Sequence, residues 1–179
     1  MLTDLQRRKM SRLFKVYDAD GNGFIEESDL LRIAHNFAEQ RGLAPGSEGY
    51  NQLRAKFLFV WEYLQKFGDP NRDYAVSLSE FLSYAQEVLE ENYASIIGST
   101  GSFLFELIDA DGDGSITQDE FRLFFRAYGI EEGLVKDIFE KLDLNADSTI
   151  SAEEFAKLGY DFHYSDDPLN PANWFFGPF

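Results

Sequence analysis

The chain contains four acidic clusters, which begin at Asp18, Asp69, Asp109 and Asp143. In each cluster, side chains that carry oxygen atoms alternate with other residues. Apolar residues spaced three or four apart precede and follow every cluster, and that spacing is typical of an amphipathic helix. The chain is therefore predicted to consist of four helix–loop–helix units, and a repeat of this kind restricts the possible folds strongly.

The alternating oxygens suit a divalent cation. Ca²⁺ takes six to eight oxygen ligands, and an EF-hand loop supplies them from positions 1, 3, 5, 7, 9 and 12, with glycine at position 6. The third cluster, residues 109–120, matches every position, whereas a solvated acidic turn would need neither the glycine nor the flanking helices. Its predicted ligands are Asp109, Asp111, Asp113, the Ser115 carbonyl, Thr117 and bidentate Glu120.

The first and fourth clusters are also predicted to bind Ca²⁺, with one departure each. The first, residues 18–29, ends in Asp29 instead of glutamate, so fewer oxygens are expected to reach the ion and Mg²⁺ is expected to compete. The fourth, residues 143–154, has Ser148 at the glycine position, where a positive φ costs about 1 kcal/mol. The predicted ligands are Asp18, Asp20, Asn22, the Phe24 carbonyl, Glu26 and Asp29 in the first cluster, and Asp143, Asn145, Asp147, the Thr149 carbonyl, Ser151 and Glu154 in the fourth.

The second cluster, residues 69–80, leaves two interpretations open. It keeps four ligand positions but places the bulky Tyr74 at the turn, where residues other than glycine, and bulky ones above all, are unfavourable. Either it binds metal, or it is a structural loop whose Val76 pairs with Ile25 to complete the first half. The retained residues are Asp69, Asn71, Asp73 and Glu80.

The pattern predicts an all-α protein in which four EF-hands form two pairs and one compact globule, with short two-stranded β contacts between paired loops. The first pair is expected over residues 1–97, the second over 98–164, and an aromatic tail over 165–179 is expected to pack on the globule. Residues 98–102 are predicted to interrupt the helix and to mark the boundary. A long helix is predicted to bury Tyr50, Leu53, Phe57, Trp61, Leu64 and Phe67.

Composition narrows the function further. The net charge of -16 opposes binding to nucleic acid or anionic membranes, and the absence of cysteine excludes disulfides and thiolate metal sites. No apolar stretch resembles a signal peptide or a membrane span, so a cytoplasmic, monomeric protein is expected. No catalytic motif is found and no enzyme is expected; His35 and His163 are interpreted as structural or surface residues.

The chain resembles the sarcoplasmic calcium-binding protein family, including its calerythrin-like bacterial members. The resemblance rests on the four-loop spacing, the weak second loop, Asp29 at the end of the first loop, and residues 161–164 after the last helix. Ser148 and the long aromatic tail depart from the family pattern. The resemblance implies paired EF-hands and a role in buffering or transporting Ca²⁺; luciferin-binding proteins and photoproteins look like more distant relatives.

Three functions remain open from the sequence. A buffer barely opens on binding Ca²⁺, whereas a sensor exposes a Met-rich groove. This chain has two methionines, Met1 and Met10, and a tail that could fill a groove, so a buffer is favoured over a sensor. The abundant phenylalanines are interpreted mainly as core residues, with an aromatic cavity for a small apolar ligand as the third alternative.

Overall fold

The computed structural model describes the backbone of residues 1–91 and 93–179 and the side chains of residues 1–90 and 101–179. Its α-helices are α1 (Asp4–Tyr17), α2 (Glu27–Gln40), α3 (Glu48–Gly68), α4 (Leu78–Glu91), α5 (Tyr93–Ile108), α6 (Gln118–Ala127), α7 (Val135–Leu142) and α8 (Ala152–Tyr164). Short 3₁₀ helices span Glu132–Leu134 and Pro171–Trp174. The strands are β1 (Phe24–Ile25), β2 (Val76–Ser77), β3 (Ser115–Thr117) and β4 (Thr149–Ser151).

The four strands lie inside the acidic loops and join them in pairs. β1 pairs antiparallel with β2, with Ile25 opposite Val76, and β3 pairs antiparallel with β4, with Ile116 opposite Ile150. All four of these apolar side chains are buried. The predicted all-α fold, with two EF-hand pairs and two-stranded contacts between paired loops, is therefore confirmed.

Aromatic side chains fill most of the core. Twelve of the eighteen phenylalanines are buried, which agrees with their interpretation as core residues. Phe67 is an exception: it was predicted on the buried face of α3 but is 47% exposed, while Leu64 and Gly68 in the same turn are buried. Tyr63 and Lys66 contact its ring on the outside of the helix instead.

The prediction that residues 98–102 interrupt the helical pattern is wrong. These residues lie within α5, which runs from Tyr93 to Ile108. Glycine weakens a helix interior by about 1 kcal/mol relative to alanine, and this local cost is offset because Leu104, Leu107 and Ile108 in the same helix are buried in the core. Asn92, before the start of α5, lies outside the described residues.

The C-terminal tail lies against the first helix and the core. Phe175 and Phe176 are buried, and their rings contact Phe162 of α8. The Arg12 Nε donates to the Phe176 carbonyl at 2.8 Å, and the Arg8 Nη2 donates to the Phe179 carbonyl at 3.1 Å. The two ends of the chain are thus joined through side chains of α1 and main-chain carbonyls of the tail.

A buried lysine strengthens this connection. Lys9 of α1 is fully buried, and its Nζ donates to the Ser165 carbonyl at 2.7 Å and to the Asp161 carbonyl at 3.4 Å. Burial lowers the pKa of Lys9 to about 8, while the charges of Asp166 and Asp161 act in the opposite direction. The amine therefore links α1 to α8 and to the start of the tail by hydrogen bonds.

In the described part of the chain, no helix combines the length and apolar character required to cross a bilayer.

Candidate metal centres

The third loop, residues 109–120, brings three carboxylates together. One oxygen each from Asp109, Asp111 and Glu120 lies within 4.8 Å of the other two. Oxygens that bind one Ca²⁺ ion at about 2.3–2.6 Å are at most about 5 Å apart, so a single ion can contact all three. Glu120 is positioned by α6, because its Oε2 accepts the Thr117 N–H at 2.8 Å, at the helix end where negative charge is favoured.

The first loop, residues 18–29, forms a similar group. One oxygen each from Asp18, Asp20 and Asp29 lies within 4.8 Å of the other two. Burial raises the pKa of Asp29, the hydrogen bond from the Glu26 N–H lowers it, and the charges of Asp20 and Asp18 raise it again. Ionised Asp29 therefore costs folding free energy when no cation is bound, and a cation would remove that cost.

The fourth loop, residues 143–154, presents an oxygen that lacks a partner. The Oε2 of Glu154 accepts the Ser151 N–H at 3.0 Å and the Ser151 hydroxyl at 2.7 Å. Its Oε1 is buried and has no hydrogen-bond partner among the described residues. A buried carboxylate oxygen without a partner is costly, and a divalent ion held by both oxygens of Glu154 would satisfy it.

The second loop, residues 69–80, satisfies its carboxylate internally. The Glu80 Oε1 accepts the Asn71 Nδ2 at 2.9 Å, and the Oε2 accepts the Ser77 hydroxyl at 2.6 Å. Within the described residues, close groups of three acidic side chains occur in the first and third loops but in neither this loop nor the fourth; unlike Glu154, Glu80 has both oxygens hydrogen-bonded. The second loop therefore has a closed arrangement that does not require an ion.

The turn at loop position 6 has the same backbone conformation in all four loops. Gly23 and Gly114 have φ values of 92° and 88°, and Tyr74 and Ser148 have values of 66° and 74°. The positive φ predicted for Ser148 is therefore present. Because a side chain makes this region less favourable, the second and fourth loops carry a strain that the other two avoid.

The chemistry of the oxygen ligands in these loops, like their positions, suits Ca²⁺. The first, third and fourth loops offer carboxylate, amide, hydroxyl and main-chain oxygens, and hard oxygen ligands are those that Ca²⁺ and Mg²⁺ prefer. The close carboxylate groups and the unpartnered Glu154 oxygen both indicate that a cation would stabilise these loops. The residues present therefore fit the ion that the loop spacing predicts.

The chain is similar to a known protein family and to known calcium-binding proteins. The model of the EF-hand domain pair matches residues 7–86 and 102–158. Calerythrin from Saccharopolyspora erythraea is 24% identical, with 92% of this chain and 95% of that protein covered. The sarcoplasmic calcium-binding protein beta chain from Penaeus sp. is 28% identical, with 91% and 90% covered. The chain belongs to the EF-hand family of calerythrin and the sarcoplasmic calcium-binding proteins.

One solved EF-hand structure bears on the interior of the molecule. The coelenterazine-binding protein from Renilla muelleri, in its calcium-loaded apo form, superimposes with a TM-score of 0.76 at 26% identity, over 99% of this chain and 100% of that chain. The fold thus extends over the whole length of both proteins. That protein is named for the small molecule coelenterazine.

A cavity of about 1020 Å³ lies between the two halves of this EF-hand protein. Side chains from α1, α3, α4, α5, α8 and the tail line it, and most are apolar or aromatic. At its edge the Lys56 Nζ lies 3.3 Å from the Glu106 Oε2. The lining includes Met10, Leu13, Tyr17, Phe59, Val60, Tyr63, Phe81, Tyr84, Phe103, Phe155, Phe162, His163, Phe175 and Phe176.

The buried titratable groups of the cavity, Tyr17, Tyr84 and His163, are held in their neutral forms. Burial raises the pKa of Tyr17 to about 12 and raises that of Tyr84. Burial lowers the pKa of His163 to about 4; a hydrogen bond with the Gly159 carbonyl acts in the opposite direction, and the Lys9 charge lowers the pKa further. An uncharged interior of this kind suits an uncharged, apolar ligand.

Sequence reasoning missed several residues around these sites. An aromatic cavity was one of its alternatives, but the lining residues were not identified because they come from six separate segments. The buried Lys9 and the partly buried Arg41, which donates to the Leu107 carbonyl, were not singled out. Neither residue belongs to a motif, and both contact residues far away in the sequence, so no local signal was available.

Proposed function

We propose that this EF-hand protein is a cytoplasmic Ca²⁺ buffer or transport protein with three ion sites, in the first, third and fourth loops. The convergence of Asp109, Asp111 and Glu120 oxygens within 4.8 Å is the observation that carries the proposal. Mg²⁺ is the proposed competitor at the first loop, where Asp29 replaces glutamate. The ligands are those named above for each loop, including the main-chain carbonyls of Phe24, Ser115 and Thr149.

Buffering is favoured over sensing because the chain covers its own apolar interior. A sensor opens on Ca²⁺ binding to expose a hydrophobic, often Met-rich groove. Here the space between the halves is covered on one side by Phe175 and Phe176 of the tail, and the chain has two methionines. Both features support a protein that binds ions without presenting a new surface.

The proposed organisation follows the two strand pairings. In this proposal residues 1–97 form the first EF-hand pair, residues 98–164 the second, and residues 165–179 the tail, with the boundary between the pairs inside α5. The molecule acts as a monomer in this proposal, and the net charge of -16 disfavours nucleic acid and anionic membranes as partners.

Calorimetric titration with Ca²⁺ is expected to give three bound ions per chain. Glu120→Gln removes the bidentate ligand of the third loop, so this variant is expected to bind one ion fewer. Glu80→Gln changes the equivalent residue of the second loop and is the matched control, with the ion count unchanged. Millimolar Mg²⁺ is expected to weaken the first site more than the other two.

Two outcomes of this titration would contradict the proposal. An absence of Ca²⁺ binding at millimolar concentration would overturn it entirely. A large rise in hydrophobic dye fluorescence during the same titration would replace the buffer with a sensor, because it would report a newly exposed apolar surface.

Binding of a small apolar molecule is a second candidate function. It is supported by the cavity of about 1020 Å³ and its apolar, aromatic lining. Ligand sites in proteins are commonly cavities of about 300–1,000 Å³ with such linings. The Renilla muelleri neighbour, named for coelenterazine binding, supports the same candidate.

Native mass spectrometry of the purified protein tests this second function. The expected result is an additional small-molecule mass that is lost in Gly159→Phe. Gly159 lines the cavity, and a Cβ built there meets no atom within 4 Å, so a phenyl ring would occupy ligand space. Gly133→Phe, at an exposed position outside the cavity lining, is the control. An unchanged mass in Gly159→Phe would place any ligand elsewhere.

A further inference from the structure

An arginine from the first half lies at the entrance to the third loop. Arg41 follows the end of α2, and its Nη2 donates a hydrogen bond to the Leu107 carbonyl in the last turn of α5. The last four carbonyls of a helix have no partner within it, and Arg41 supplies one. Leu107 is two residues before Asp109, the first ligand position of the third loop.

The position is fixed by packing between the two halves. α2 packs against α6, the helix that leaves the third loop, and the Asn36 Nδ2 of α2 donates to the Ala127 carbonyl at the end of α6 at 2.9 Å. Arg41 is itself partly buried. Its guanidinium is therefore held beside the third loop rather than moving freely in solvent.

The charge of Arg41 acts on the carboxylates that close this loop. Burial lowers the pKa of Arg41, and the negative charges of Glu120 and Asp109 raise it. These two carboxylates occupy positions 12 and 1 of the loop and belong to the group of three whose oxygens lie within 4.8 Å of one another. A fixed positive charge there stabilises the empty loop and repels a divalent cation that enters it.

We propose that Arg41 sets the Ca²⁺ affinity of the third loop by competing electrostatically with the ion. The hydrogen bond to Leu107 holds the guanidinium in place, and its charge lowers the affinity below what the complete ligand set would otherwise give. The first half of the molecule thereby sets the affinity of a site in the second half. This inference rests on the proposed Ca²⁺ site in the third loop.

The test compares Arg41→Gln, which removes the charge but keeps a side-chain donor, with Arg41→Lys, which keeps the charge. Calorimetric titration of Arg41→Gln is expected to show the third site binding Ca²⁺ about three- to tenfold more tightly, with a smaller gain at high salt. Arg41→Lys and the first and fourth sites are expected to stay within about twofold of the parent protein. The Glu120→Gln background identifies the third site, because the gain must be absent there.

An unchanged or weaker third site in Arg41→Gln would overturn the inference. Arg41→Met provides a second uncharged side chain with similar packing if the glutamine variant fails to fold, and the same affinity gain is expected. If the parent protein binds no ion in the third loop, the proposed function fails instead. The two failures are distinguishable because the parent titration reports the site and the variants report the arginine.

Discussion

Removal of divalent ions with EDTA is expected to lower the melting temperature of this protein by about 20 °C. A ligand at a hundred times its Kd stabilises the native state by about 2.7 kcal/mol, so the three proposed sites would together contribute about 8 kcal/mol. In a chain of this size, 1 kcal/mol shifts the melting temperature by about 2–4 °C. The ions stabilise the fold because they cancel the repulsion between carboxylates such as Asp20 and Asp29. Differential scanning calorimetry with and without EDTA measures the effect.

A variant with three disabled loops is the control for this experiment. Asp29→Asn, Glu120→Gln and Glu154→Gln together remove the position 12 carboxylates of the three proposed sites. The triple variant is expected to melt at the same temperature with and without EDTA. A parent protein whose melting curve did not respond to EDTA would contradict ion-dependent stability.

Replacement of both Phe175 and Phe176 by alanine is expected to lower the free energy of unfolding by about 5 kcal/mol. A buried phenylalanine changed to alanine costs about 3–5 kcal/mol, and the two effects are not additive because the rings touch each other, with centroids 5.1 Å apart. Urea unfolding at saturating Ca²⁺ measures the change.

A substitution at an exposed position of the same tail is the control for the loss of buried side chains. Leu169 is 88% exposed, so Leu169→Ala is expected to change the free energy of unfolding by less than about 0.5 kcal/mol. Equal stability of the parent and the double phenylalanine variant would show that the tail does not contribute to the folded core.

The sequence was most informative where local chemistry decides the structure. An EF-hand loop fixes its own shape, because each ligand, the turn residue and the first residue of the exit helix occupy set positions. The spacing therefore predicted the loops, and the apolar residue at position 8 identified the pairing of Ile25 with Val76. The helices around the loops followed from their apolar periodicity.

The features that sequence could not predict depend on contacts between distant segments. Residues 98–102 contain two glycines and have a weak local preference against helix, but burial of α5 in the core overrides that preference. The exposure of Phe67 depends on which helices cover α3. The interactions of Lys9 with Ser165 and of Arg41 with Leu107 join residues far apart in the chain, and no alternation or spacing indicates them.

The closed second loop has a consequence for the first half of the molecule. Asn71 already donates to one oxygen of Glu80, and β2 is already paired with β1, so contacts within the chain shape this loop without an ion. If the first loop binds an ion as proposed, its partner strand stays in place while the ion is released and rebound. With a single proposed ion site in this half, uptake and release would rearrange the first loop alone, and a small rearrangement favours fast and repeatable cycles.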